Sequence, residues 1–160
     1  MAERGGWQVD DESSSVARYV DQFCRRIAKE RLEEQTRPQW VVENGYFWED
    51  GPVILEAGVP MLCPEWTDEV TAAASGTYER WFTAGQYRVS PKPTREFREI
   101  AAGVYRAERP LPGCSWKRAA KGGDVLDGRP AEGARTATVT LAASDRVFMS
   151  ANCGTWKPVT

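Results

Sequence analysis

Residues 136–149 read Thr-Ala-Thr-Val-Thr-Leu-Ala-Ala-Ser-Asp-Arg-Val-Phe-Met, and this stretch decides the fold class. From Thr136 to Leu141 polar and apolar side chains alternate with a period of two, which suits a strand with one face on a core. Ser144-Asp145 supplies a turn, and Val147-Phe148-Met149 reads as a second strand. Upstream, Gln86-Tyr87-Arg88-Val89, Val104-Tyr105-Arg106-Ala107 and Cys114-Ser115-Trp116-Lys117-Arg118 alternate in the same way. Pro91-Lys92-Pro93 is an irregular link, Lys121-Gly122-Gly123-Asp124 is a turn, and Cys153-Gly154-Thr155-Trp156 closes the ordered part. Short strands at this spacing predict an antiparallel β-sandwich or open barrel over 84–160. Gly85-Gln86-Tyr87-Arg88 is echoed by Gly103-Val104-Tyr105-Arg106, which suggests two neighbouring strands with similar entries.

The first half has a different period. Residues 1–13 are polar and acidic and read as a flexible arm. Ser13, Ser14 and Ser15 offer helix caps. Val16, Tyr19, Val20, Phe23 and Ile27 then recur at spacings of three and four, one face of an amphipathic helix that should end before Pro38. Trp66, Val70, Ala73 or Ala74, Tyr78, Trp81 and Phe82 form a second helical stripe behind Pro64, interrupted at Gly76. Between the two lies an aromatic segment, Gln39-Trp40-Val41-Val42 and Tyr46-Phe47-Trp48 around Asn44-Gly45, followed by Asp50-Gly51-Pro52. Those turn signals predict a loop or small hairpin. The expected organisation is therefore α+β: a helical segment over 14–83 with a central aromatic loop, then the β-domain.

A chain of 160 residues with 41% hydrophobic residues is long enough to bury a core. Its formal charge of -2 argues against a nucleic-acid sleeve, and it has no His, the commonest general base and metal ligand. No apolar run is long enough to span a membrane, since Val53 to Leu62 is broken by Glu56, Gly58 and Pro60. The start, Met1 to Trp7, has no apolar signal-peptide region. It leaves open synthesis inside the cell, release by lysis, or a trimmed leader.

Cys24, Cys63, Cys114 and Cys153 are isolated from one another, which argues against a zinc site. Four cysteines allow three pairings, or four buried free thiols. The simplest pairing is one bridge in each half, each closing a loop of about 40 residues and worth roughly 3–4 kcal/mol. Bridges would imply an oxidising location.

Taken together, Gly103-Val104-Tyr105-Arg106, Cys114-Ser115-Trp116-Lys117-Arg118 and Cys153-Gly154-Thr155-Trp156 give residues 84–158 a family likeness. This half resembles a small β-domain of actinobacterial envelope and secreted proteins and of their phages. The resemblance implies that Cys114 pairs with Cys153, and it implies no enzymatic activity. The chain departs from that pattern at Ile100-Ala101-Ala102, where a Pro-Gly turn is commoner. Residues 16–82 are similar, more loosely, to small mycobacterial helical secreted domains, through Cys24 and Cys63-Pro64.

No nucleophile elbow, phosphate loop or dinucleotide fingerprint is present. The remaining generic chemistry is a carboxylate pair, Glu65 with Asp68 or Glu69, or Glu43 with Glu49 and Asp50, as in glycosidases. First-turn acids complementing a helix dipole explain the same residues. The candidate binding residues are Trp40, Tyr46, Phe47, Trp48, Trp116 and Trp156, each readable as core packing or as ligand contact. Arg88, Arg106 and Lys117 read as a solvated sheet face. The expectation is a non-catalytic, disulfide-stabilised binding module of an actinobacterial envelope or phage protein, without cofactor or metal. Its partner would be an envelope protein or glycan, and not nucleic acid. The alternatives are a virion structural protein (capsid decoration or minor tail component) contacting other virion proteins, and a carbohydrate-active enzyme using two acids.

Overall fold

The computed structural model describes residues 15–94 and 98–160. The expected arm over residues 1–13 lies outside the described residues. The chain divides into two compact units at Glu79/Arg80. It is an α+β protein, with helices in the first unit and two sheets in the second.

The first helix, α1 (Val16–Lys29), starts where Ser15 accepts a hydrogen bond from the Arg18 N–H. It buries Tyr19, Val20, Phe23 and Ile27, the stripe read from the sequence. It ends at Lys29, well before Pro38, because that proline opens the next helix. The aromatic segment is not a hairpin: Gln39 to Val42 lie in a second helix, α2 (Arg37–Glu43), Tyr46 to Trp48 lie in the turn that follows it, and a third helix, α3 (Gly51–Leu62), comes next. Thr36 and Gln39 form a reciprocal capping box that starts α2, with proline in the first turn. Asn44 then caps its C-terminus, and Gly45 follows at φ 80°, a left-handed helix exit. Asn-Gly and Asp-Gly-Pro serve as helix punctuation here, a use that shares its residue types with the hairpin turn. After a short 3-10 turn, Pro64–Trp66, helix α4 (Thr67–Ser75) stops at Gly76. Tyr78, Trp81 and Phe82 therefore lie outside the second helix that the stripe predicted.

The helical core is built on an aromatic nest. Phe23 meets Tyr46 edge-on at 5.0 Å, and Trp40 lies 5.5 Å from Tyr46. The Tyr19 hydroxyl donates to the Tyr46 carbonyl at 3.3 Å. Gly58 lets α3 approach α1, since a Cβ there would sit 2.6 Å from Val20 Cγ2. The Cys24–Cys63 disulfide ties α1 to the C-cap of α3.

The second unit has eight strands: β1 (Gly85–Val89), β2 (Glu99–Ile100), β3 (Gly103–Glu108), β4 (Ser115–Ala120), β5 (Val125–Gly128), β6 (Thr136–Leu141), β7 (Asp145–Ala151) and β8 (Trp156–Pro158). Five form one sheet in the order β2-β1-β7-β4-β5, and three form another in the order β6-β3-β8. All pairings are antiparallel except β1 with β2, which is parallel. Side chains of both sheets share one core, including Tyr87 and Phe148 from the larger and Tyr105, Leu141 and Trp156 from the smaller, the arrangement of a sandwich. The Cys114–Cys153 disulfide joins the entry of β4 to the exit of its neighbour β7.

The Gly-x-Tyr-Arg echo does not mark neighbouring strands: β1 and β3 belong to different sheets. It marks one device used twice. Gly85 and Gly103 have φ of 150° and 154°, and the tyrosine two residues on returns its hydroxyl to a carbonyl four residues back. Tyr87 donates to Thr83 at 3.1 Å and Tyr105 to Ala101 at 2.9 Å. Both rings then meet Phe82 edge-on, at 5.3 and 5.7 Å. Phe82 is thus a core residue of the β unit, held by reciprocal backbone bonds to Trp156.

Candidate functional site

The candidate binding aromatics are separated by burial. Trp40 and Tyr46 are core residues, and the Arg26 guanidinium covers both rings at 5.8 and 5.5 Å. Phe47 is half-buried. Trp48 stands 73% exposed in the turn before α3. In the β unit Trp156 is fully buried and Trp116 packs edge-on against it at 5.5 Å. Of the six, only Trp48 offers a ring mostly to solvent.

The helix that follows Trp48 carries the larger signal. Val53, Glu56, Ala57, Pro60 and Met61 recur at i, i+3, i+4, i+7 and i+8, and so share one face of α3. The opposite face is spent on the core through Ile54, Leu55 and Val59. Val53 is 51% exposed and Met61 67%, with Leu62 exposed at the helix end. A helix with a single charged residue, here Glu56, normally buries most of its surface; this one buries one face.

The segment that carries that face is acidic. Residues 38–79 contain eight carboxylates and no Lys or Arg. The imbalance extends to the units: residues 1–79 carry a formal charge of −9, and residues 80–160 carry +7. The whole-chain value of -2 conceals both. Counting charge by segment would have found this from the sequence alone.

The two buried carboxylates among the described residues are committed to structure. Glu99 accepts from the Thr94 N–H at 2.7 Å and from the Arg88 guanidinium, which hold its pKa at about 2, well below the usual carboxylate range. Asp145 accepts from the Ala142 N–H at 2.8 Å and from Arg118 at 3.1 Å. Of the acids weighed as catalytic pairs, Glu65 lies on the 3-10 turn, with Asp68 and Glu69 in the first turn of α4. Glu43 accepts a hydrogen bond from Gln39 at 2.9 Å. Burial pushes the Tyr105 hydroxyl pKa up, so it remains a hydrogen-bond donor. Among the described residues no group of three acids or cysteines is placed to hold a metal ion, and no helix is long and apolar enough to cross a membrane.

These features define an extracytoplasmic α+β protein with one disulfide in each unit. Residues 79–157, nearly the whole β unit, match the family model of the Rv1352-like extracellular domain. No match to a curated protein or to a solved structure was found.

Proposed function

We propose that the protein is a non-catalytic binding module acting outside the cytoplasm, and that it holds a protein partner on the exposed face of α3. The observation that carries this reading is a largely apolar helix face, Val53, Ala57, Pro60 and Met61 around Glu56, in a segment with eight acids and no base. Exposed apolar surface on a segment of one sign of charge favours a partner with an apolar contact bordered by Lys and Arg. Face-to-face pairing with a second copy would set acid against acid, and an anionic lipid surface would be repelled in the same way.

The test is calorimetric titration with two designed amphipathic helical peptides, one Leu/Lys and one Leu/Glu. The Leu/Lys peptide binds, with an affinity that falls as salt rises. Val53→Asp with Met61→Asp weakens it by roughly a hundredfold or more, because two apolar contacts of about 1.5–3 kcal/mol each are lost. Equal binding of the Leu/Glu peptide, or indifference to the double variant, sinks the reading.

A further inference from the structure

The β unit has its own cavity, a cleft of about 820 Å³ beside β1 and β7. Four cations line it, Arg88 on β1, Arg98 just before β2, Lys121 in the β4–β5 turn and Arg146 on β7, together with the carboxylate of Asp145. Arg98, Lys121 and Arg146 are exposed, and no carboxylate among the described residues forms an ion pair with them. Their backbones are held in place. The Arg88 N–H donates to the Arg98 carbonyl at 2.7 Å, and the Lys121 N–H to the Ser144 carbonyl at 3.0 Å. The two other charged groups of the lining are already matched, Arg88 to Glu99 and Asp145 to Arg118. The floor between the cations is apolar: Val89, Pro91, Ala143 and Val147.

We propose that this cleft binds a phosphate ester joined to a small apolar group. Converging like charges costs Coulomb energy that a dianion recovers, and a guanidinium fork matches phosphate oxygens. The apolar floor needs an apolar portion of the ligand beside its charge. The volume is that of a small ligand or a headgroup, and among the described residues no aromatic side chain lines the cleft. The site is in a different unit from the α3 face and rests on different observations.

The probes are soluble dihexanoyl phosphatidic acid, inorganic phosphate and a short oligothymidylate, titrated against the full oxidised chain. Dihexanoyl phosphatidic acid binds, more tightly than inorganic phosphate. Arg98→Gln with Arg146→Gln weakens it by about tenfold or more, while Arg106→Gln with Lys117→Gln removes the same charge elsewhere and leaves it unchanged. Lys121→Gln serves as a second cleft variant should the double variant misfold. Cosedimentation with phosphatidylcholine vesicles containing phosphatidic acid assigns the site to a lipid headgroup; binding of the soluble ester without cosedimentation assigns it to a free phosphate ester. Equal loss in the Arg106/Lys117 variant overturns the site, as does equal affinity for inorganic phosphate or for the oligothymidylate.

Discussion

The helical and β units use the same staple for different purposes. Each contains one disulfide between cysteines 39 positions apart. In the helical unit it fixes the middle of α1 to the end of α3, with Cys24 half-buried and Cys63 in the core. In the β unit it closes the ends of two strands that already pair, and both cysteines are buried. Their charges are also opposite, acid outweighing base in one and the reverse in the other. A shared covalent device therefore sets no common surface. It leaves each unit free to carry one sign of charge, despite the self-repulsion this brings.

The largest expected effect breaks the likeness of the two staples. Loop closure alone predicts about 4 kcal/mol for each, since the loops are equal. Replacing Cys114 and Cys153 together by Ser costs more than that, because two buried sulfurs become two buried hydroxyls. Replacing Cys24 and Cys63 by Ser stays nearer the loop value, with Cys24 closer to water. Urea unfolding followed by far-UV circular dichroism separates the two; a larger loss from the Cys24/Cys63 pair contradicts this account.

Gly58→Ala comes next, and its sign is the informative part. On helix propensity alone alanine is worth about 1 kcal/mol over glycine. Here the new Cβ meets Val20, a buried β-branched side chain with little room to turn. Overpacking of about 1–3 kcal/mol outweighs the gain. Val20→Ala in the Gly58→Ala background should recover part of the loss, measured as the urea midpoint.

In the β unit, Tyr87→Phe and Tyr105→Phe test whether the Gly-x-Tyr-Arg device is used equally in both sheets. Each removes one hydroxyl-to-carbonyl bond and keeps the ring against Phe82, so each should cost about 1 kcal/mol. A loss confined to one variant would show the device to be structural in only one sheet.

Legibility in the sequence followed local periodicity. The stripe of α1 and the alternation of β6 could be read because each buries one face. Strand β5 could not: it lies at the sheet edge with Val125 and Leu126 exposed, so no core imposes a period on it. Strand β2 is two buried residues, too short to alternate. The aromatic segment misled because Tyr46 and Trp40 meet Phe23 only after α1 and α2 fold together. Of the candidate site, Trp48 was visible by type. The convergence of Arg98, Lys121 and Arg146 has no local signal, because sheet topology creates it.

The last expected effect concerns the carboxylate, among the described residues, whose titration the fold clearly displaces. Glu99 has a pKa of about 2 in the folded chain against an ordinary value of 4.5, chiefly through the Thr94 N–H and then the Arg88 guanidinium. Below 4.5 the unfolded chain takes up this proton first, so stability falls as the pH drops. The contribution is complete above 4.5 and is lost as the pH passes down through about 2. Glu99→Gln removes that increment while leaving the other carboxylates to titrate. The difference in urea midpoint between parent and variant should therefore be flat from pH 7 to about 5 and shrink steadily below it. A difference that stays constant to pH 2 would mean that Glu99 serves as a packing and hydrogen-bonding group whose charge contributes nothing. The link between β1 and β2, where Arg88 and Glu99 are direct neighbours in the parallel register, would then rest on the backbone alone.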